Sequence, residues 1–115
     1  MAYGFNNDKS KAEMPVPSVV QLAFDENTSN EAIGSNSYQI RMIDLSNVAP
    51  DLSKVIGIRG YEFVYTTAQK YLLIGSVQIK MYNNVPEVIV QIINNTSNTI
   101  YWSPKDSIIE LVVLS

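Results

Sequence analysis

Carboxylates are the side chains in this sequence with the chemistry of acids, bases or cation ligands. Asp25-Glu26 and Glu31 fall in one polar segment, and Asp44 and Asp51 flank another. Two carboxylates held at a set distance in a groove can hydrolyse a glycosidic bond, but spacing along the chain does not give that distance. The sequence therefore supplies material for acid–base chemistry without a motif that organises it.

Histidine and cysteine are both missing from the 115 residues. This excludes Cys/His zinc sites, Ser-His-Asp and Cys-His catalysis, thiol redox chemistry and disulfides. The Asp25-Glu26-Asn27 segment has the oxygen ligands that calcium prefers, but its spacing matches no EF-hand, so a solvated loop is the favoured interpretation. We predict a protein that is not an enzyme and has no catalytic residues, no cofactor and no metal.

Aromatic residues raise a different kind of site. Tyr101 and Trp102 precede a Ser-Pro turn, and further tyrosines lie in neighbouring segments. Exposed aromatic rings with polar neighbours form the platforms of sugar-binding sandwiches, whereas the same residues also fill small cores and their rims. The core is the favoured place. The alternative function is a carbohydrate- or receptor-binding module, such as a fibre tip, with Tyr101 and Trp102 facing the ligand.

Charge and hydropathy limit the partners. The chain has 8 basic and 11 acidic side chains, a net charge of −3, and a charged share of 17%, against about 25% in average proteins. Nucleic acid is not an expected partner, because binding it needs a basic stripe. No apolar stretch approaches the ~20 residues of a membrane span. The N-terminal residues lack the apolar segment of a secretory signal, so synthesis in a cytoplasm is expected.

Apolar and polar residues alternate with the period of β-strands from Ser18 onward. In Ser37–Ile43, for example, Tyr38, Ile40 and Met42 share one face. The predicted strands are 18–24, 37–43, 55–58, 61–66, 71–82, 87–93, 99–102 and 107–114. Turns rich in Asn, Pro and Gly separate them, and a helical turn is expected after Pro50. This pattern predicts an all-β fold: an antiparallel sandwich or small barrel, jelly-roll-like, with about eight short strands.

Residues 1–17 are predicted to form an extended N-terminal arm ahead of a sandwich domain of residues 18–115. Pro15 and Pro17 favour an extended path. Tyr3 and Phe5 offer large contact areas at low entropic cost. We therefore expect Tyr3, Phe5, Pro15 and Pro17 to bind a partner.

Self-association is expected from the low charge and from the apolar run Ile108–Leu114. Such a strand must be paired or buried, either at the centre of its own sheet or in an interface between copies. Closing a ring of copies would also hide the sheet edges that a monomer leaves open.

The segment Tyr3-Gly4-Phe5-Asn6-Asn7-Asp8-Lys9-Ser10-Lys11 resembles the N-termini of small structural proteins of tailed bacteriophages. Auxiliary and head-decoration proteins of this group combine an N-terminal arm with a compact β domain that trimerises on the capsid. The resemblance implies a non-enzymatic virion protein that stabilises a phage capsid or a related assembly. Its partners would be copies of itself, as a homotrimer, and other virion proteins such as the major capsid protein. Its location would be the virion, after synthesis in the bacterial cytoplasm.

Overall fold

Eight β-strands and one short 3₁₀ turn make up the part of the chain that the computed structural model describes, residues 16–68 and 70–115. The elements are β1 (Pro17–Ala23), β2 (Glu31–Ile33), β3 (Ser37–Asp44), the 3₁₀ turn (Leu52–Lys54), β4 (Val55–Glu62), β5 (Leu73–Tyr82), β6 (Val85–Asn94), β7 (Ile100–Trp102) and β8 (Ile108–Leu114). Every pairing between strands is antiparallel. The predicted all-β fold is confirmed.

Two three-stranded sheets, of order β1-β8-β4 and β3-β6-β5, are accompanied by the two-stranded pair β2-β7. The first three strands pair with the last three in nested order, β1 with β8, β2 with β7 and β3 with β6. This nesting gives the fold its jelly-roll character. β4 and β5, from the middle of the chain, extend the two sheets as outer strands.

The core lies between the central strands β6 and β8, in which buried and half-buried residues alternate along the whole length. The buried aliphatic residues of these two strands are Val88, Val90, Ile92, Ile109, Leu111 and Val113. Each contributes about 1.5–3 kcal/mol by leaving water. β8 lies at the centre of its own sheet, so its apolar run is accounted for within one copy and does not by itself indicate self-association.

Residues 38–42 of β3 have the opposite orientation to the one expected of an amphipathic strand, whereas the next residue, Ile43, is buried in the core. The usual pattern turns apolar residues to the core and polar residues to solvent. In β3, Tyr38, Ile40 and Met42 are exposed, whereas Gln39 and Arg41 are half-buried on the side of the core. The register places Arg41 opposite the fully buried Val90, which confirms that Arg41 points inward.

The hairpin between β5 and β6 turns over two residues. Asn83 and Asn84 have φ values of 50° and 64°, as a type I′ turn requires, and asparagine tolerates this region better than most residues. Val85 and Pro86, which the sequence pattern assigns to the turn, are the first residues of β6. The predicted hairpin is present, with a tighter turn than expected.

Two strands depart from the sequence prediction. β2 lies in a segment that the sequence predicts to be a loop, and its three residues pair with β7. β4 runs through Gly60, where the sequence predicts two separate strands. Register shifts between Val55 and Gly57 and between Ile58 and Gly60 let this strand bend instead of ending.

Asn94 holds the junction between the β3-β6 and β2-β7 ladders. Its buried amide nitrogen Nδ2 donates to the carbonyl oxygens of Ile33, Gly34 and Asn98 at 2.8–3.0 Å. Its oxygen Oδ1 accepts from the backbone and hydroxyl of Thr96. These bonds satisfy carbonyls that the change of ladder leaves unpaired, which explains a fully buried asparagine.

Pro17 belongs to the sheet, since it begins β1 opposite Leu114 of β8. Val16 and Ser115 continue the contact: Ser115 N donates to Val16 O, and Val16 N donates to Ser115 Oγ, both at 3.1 Å. β1 thus starts one residue before the predicted domain boundary. Tyr3, Phe5 and Pro15 of the predicted arm lie outside the described residues.

Candidate partner-binding surface

The outer side of the β3-β6-β5 sheet carries six apolar side chains, which we call the apolar face. Its members are Tyr38, Ile40, Met42, Leu73, Ile89 and Ile93. Tyr38 and Leu73 both lie opposite Ile93, and Met42 lies opposite Ile89. Opposed residues on antiparallel strands have Cβ atoms about 4.5–5.5 Å apart. The six side chains therefore form one surface across three strands.

Much of this surface is open to solvent. Tyr38, Ile40 and Met42 are 62%, 50% and 40% exposed. Single exposed apolar residues are ordinary, but contiguous apolar patches on a folded protein mark places where another molecule binds. The three side chains alternate along one strand and point the same way, so they form a patch.

Polar residues border the apolar face at one end. The register places Asp44, Glu87 and Lys80 in one row across β3, β6 and β5. At the other end, a recess of about 200 Å³ opens beside Tyr38 and Ile93, and four asparagine, serine and glutamine side chains complete its wall together with Asn94. An apolar centre with a polar rim is the usual anatomy of a protein–protein interface.

Gly75 allows the side chains of Ile93 and Gln91 to pack directly on the backbone of β5. A β-carbon at this position would overlap the side-chain ends of Ile93 and Gln91, which lie over the glycine. The ladder between β5 and β6 is irregular at the same point, between Ile74 and Ser76. This irregularity is a β-bulge at Gly75, and the missing side chain leaves room for Ile93.

Behind the apolar face, Arg41 fills the inner side of β3. Its NH1 lies 2.9 Å from Asp25 Oδ2 and its NH2 lies 3.3 Å from Glu31 Oε1. Its Nε donates to Gln39 Oε1 at 3.1 Å, and its guanidinium carbon lies 5.7 Å from the centre of the Trp102 ring. A half-buried arginine is stable here because carboxylates, an amide and an aromatic ring surround it.

Asp25 is held ionised by this environment. The backbone N–H of Asn27 (2.9 Å) and then the hydroxyl of Thr28 (2.9 Å) lower the pKa of Asp25, and the charge of Arg41 adds to them. Partial burial acts in the opposite direction without cancelling the effect. A carboxyl with a lowered pKa is a poor proton donor near neutral pH. The acidic segment singled out in the sequence thus supports an ion pair.

Asp44 and Asp51 stabilise turns. Hydrogen bonds from Ser46 lower the pKa of Asp44, and hydrogen bonds from Ser53 lower the pKa of Asp51. Asp51 caps the 3₁₀ turn, because its carboxylate accepts from Ser53 N at 3.1 Å. The helical turn predicted after Pro50 is confirmed, and the role of its acidic residue is capping.

An open cleft of about 540 Å³ separates the end of β1 from β3. Asp25, Arg41, Asp44 and Asn47 lie in its wall. Its volume suits a small molecule, but Asp25 and Arg41 bind each other across it, and Asp44 binds Ser46. The cleft is therefore a weaker candidate site than the apolar face.

The two aromatics of the carbohydrate alternative have different surroundings. Trp102 is completely buried, with its ring edge-on to Phe24 and Phe63 at centroid distances of 5.5 Å. Its indole N–H has no acceptor among the described residues. A ligand cannot reach this ring, so the idea that Trp102 faces a ligand is corrected to a core position. Tyr101 is partly exposed on the opposite side of β7.

Sequence reasoning missed the apolar face. The alternation of Tyr38, Ile40 and Met42 was visible, but alternation does not say which face of a strand points outward. The one available signal was the charge of Arg41 on the other face of the strand. This charge could be buried only with acidic partners, which in the structure are Glu31 and Asp25, 10 and 16 positions earlier.

Two further features are absent from residues 16–68 and 70–115. These residues contain no group of three or more His, Cys, Asp or Glu side chains placed to hold a metal ion. They also contain no helix that is long and apolar enough to cross a membrane.

Comparison with known proteins gives no relative: no family model matches the chain, and no significant match occurs among curated proteins or solved structures. A function is therefore inferred from the residues and geometry of this chain.

Proposed function

We propose that the protein is a non-enzymatic structural subunit that works by assembly and covers its apolar face with another protein of a larger particle. The class we favour is the auxiliary or head-decoration protein of a tailed bacteriophage, which the segment from Tyr3 to Lys11 resembles. The partners are then copies of itself, three by analogy with that class, and the major capsid protein. Its location is the virion.

The inverted strand β3 is the observation that carries this proposal. Tyr38, Ile40 and Met42 face out while Arg41 faces in. In an isolated domain this arrangement leaves apolar area in water, and covering each half-exposed side chain would contribute about 1 kcal/mol. A protein partner on the outer side turns the same strand into one that is buried on both faces.

The shape of the surface also favours a protein partner over a small molecule. Small ligands bind in concave pockets that enclose most of their surface. The apolar face spans three neighbouring strands of one sheet, and a sheet surface of this kind matches the broad contacts of protein interfaces.

Composition analysis of purified particles tests the assignment to a virion. Phage particles from a culture that expresses this gene are banded on a density gradient and analysed by mass spectrometry. We expect the protein in the particle band in a fixed ratio to the major capsid protein. Its recovery only from the soluble fraction would overturn the assignment.

A matched pair of variants tests the surface. Ile40→Ser alters the apolar face, and Ile56→Ser alters a residue of similar exposure, 60% against 50%, in the other sheet. We expect Ile40→Ser to lower retention on particles at least tenfold and Ile56→Ser to leave it unchanged. Equal retention of the two variants would contradict the use of the apolar face.

A further inference from the structure

β5 is the edge of the β3-β6-β5 sheet with the most exposed apolar residues. Among the described residues, β6 is the strand that pairs with it. Its ten residues make it as long as any strand of the fold. On its inner side Val77 and Met81 are 37% and 53% exposed, although they lie opposite the buried residues Val90 and Pro86 of β6. The other sheet therefore does not cover this edge.

The turn at Asn83-Asn84 fixes the direction of the backbone groups of β5. In a two-residue hairpin the flanking residues, here Tyr82 and Val85, form a hydrogen-bonded pair. Hydrogen-bonded pairs alternate along an antiparallel ladder, and the register is regular from Ser76 to Tyr82. Val77, Ile79 and Met81 therefore direct their N–H and C=O groups away from β6, toward the open edge.

The other three edge strands of the two three-stranded sheets carry features that oppose pairing with another chain. β1 begins with a proline, β4 is bent by two register shifts, and β3 points a charged arginine inward. Prolines, bulges and inward charges are the devices by which sheet edges avoid association. In β5 the stretch from Ser76 to Tyr82 carries one such device, Lys80.

We propose that two copies of the chain pair through β5, antiparallel about a two-fold axis at Ile79, to form a continuous six-stranded sheet. The occupant of the edge is thus the same strand of a second copy. A two-fold contact requires a self-complementary surface, and β5 has one, because apolar residues alternate with polar ones symmetrically around Ile79.

In the register about Ile79, apolar residues lie opposite apolar residues and polar residues lie opposite polar residues. Val77 lies opposite Met81 of the second copy, and Ile79 lies opposite itself, so the exposed inner side chains cover one another. On the outer side Gln78 lies opposite Lys80. The ammonium of Lys80 does not face its own copy directly, and Glu87 of β6 lies beside it. The one edge charge is therefore accommodated.

This pairing adds to the proposed function a specific contact between copies. It rests on the proposed function in one respect, that the protein associates with itself. The mass of the full-length protein in solution separates the two. The chain mass is 12.8 kDa, and light scattering over a range of micromolar concentrations gives the number of copies.

Each mass outcome decides the question. Two copies support the β5 pair and contradict the three-fold arrangement. Six copies support both, since three-fold and two-fold axes then combine. Three copies support the three-fold arrangement and overturn the β5 pair. One copy at all concentrations overturns both.

Two methionine variants locate the contact. Met81→Lys places a charge in the β5 contact, and Met42→Lys places the same charge on the apolar face; both methionines are exposed and lie on edge strands of one sheet. We expect Met81→Lys to reduce two copies to one, or six to three, and to leave a folded domain by circular dichroism. Met42→Lys should keep the mass of the wild type. The reverse result would overturn the β5 pair.

Single cysteines then test the register, because the chain has no cysteine of its own. Opposed residues in a hydrogen-bonded pair have Cα atoms about 5.5 Å apart, within the range of a disulfide. Ile79→Cys should therefore crosslink to a covalent dimer on mild oxidation. Val77→Cys and Met81→Cys should not, since each copy of these residues lies about four positions, or ~13 Å, from itself across the pair. Fastest crosslinking at any other position would overturn the register about Ile79.

Discussion

On the outer side of the β1-β8-β4 sheet, Glu110 of the central strand accepts a hydrogen bond from Gln21 of β1 at 2.8 Å and lies 3.9 Å from Arg59 of β4. On the outer side of the β3-β6-β5 sheet, the central strand instead presents Ile89 and Ile93 to apolar neighbours. The first surface has an interacting polar group, Gln21, Glu110 and Arg59, at its centre, and apolar residues such as Val19 and Val112 lie beside it. The second has no charged residue in its centre, where Gln91, Ser76 and Gln78 are the polar residues beside the apolar face.

The inner sides of the two sheets do not differ in this way. β6 and β8 alternate buried and half-buried residues in the same manner. Both sheets therefore have the same pattern of buried residues on the core side. The residues on their outer sides are not needed to form the core and depend on whether water or another protein contacts them. A polar network suits water, and the apolar face suits a protein. The exposed apolar residues of β3 are the basis of the functional proposal.

The largest expected difference between the two surfaces is the contribution of their arginines. Arg41 has a side chain 16% exposed and binds Asp25 and Glu31, whereas Arg59 is 61% exposed and 3.9 Å from its one carboxylate. We expect Arg41→Met to lower the free energy of unfolding by about 2–3 kcal/mol, because two partly buried carboxylates lose their cation. Arg59→Met should change it by less than about 0.5 kcal/mol.

Urea unfolding of both variants and the wild type measures this difference. If the two substitutions have the same effect, the inward arginine does not stabilise the inverted strand.

The next difference concerns two glycines. A β-carbon on Gly75 would overlap Ile93 and Gln91, whereas one on Gly57 of β4 would meet no atom within 4 Å. Gly75→Ala should therefore lower stability by about 1–2 kcal/mol, since side chains of the apolar face must move. Gly57→Ala should be neutral or stabilising by about 0.5 kcal/mol, because alanine loses less entropy in a strand. Thermal unfolding of the pair checks this, and equal melting temperatures would show that Gly75 is not closely covered.

The smallest expected effect is the pH dependence from Asp25. Its pKa is lowered in the folded protein, so its contribution to stability is present above the unfolded pKa of about 3.9 and is lost as the pH falls through the folded value. The stability gap between wild type and Asp25→Asn should thus be constant from pH 7 to about 5 and close below about 4. The gap should reach at most about 1 kcal/mol. A gap that widened toward low pH would contradict the lowered pKa.

Local sequence patterns predict much of the fold. The alternation of Val20, Leu22 and Phe24 predicts β1, Asn83-Asn84 predicts a hairpin, and Pro50-Asp51 predicts a helical turn; the structure has all three. Each of these features depends on a few consecutive residues, so it can be predicted from the local sequence alone.

The features that the sequence did not predict depend on distant residues. β2 is three residues long and exists because it pairs with β7, almost 70 positions later. Trp102 is buried because Phe24 and Phe63 converge on it. The orientation of β3 depends on Arg41 finding Asp25 and Glu31. A period-two pattern is the same whichever face is buried, so it could not reveal the apolar face.

Radical footprinting tests most directly whether the apolar face is covered in the working assembly. Hydroxyl radicals label exposed methionine and tyrosine side chains, and Tyr38 and Met42 on the apolar face and Tyr61 on β4 are all exposed. Labelling of the isolated protein is compared, by mass spectrometry, with labelling of the same protein in gradient-purified particles. We expect labelling of Tyr38 and Met42 to fall several-fold in the particle while labelling of Tyr61 is unchanged. Unchanged labelling of Tyr38 and Met42 in the particle would show that the apolar face is not covered there and would contradict the account.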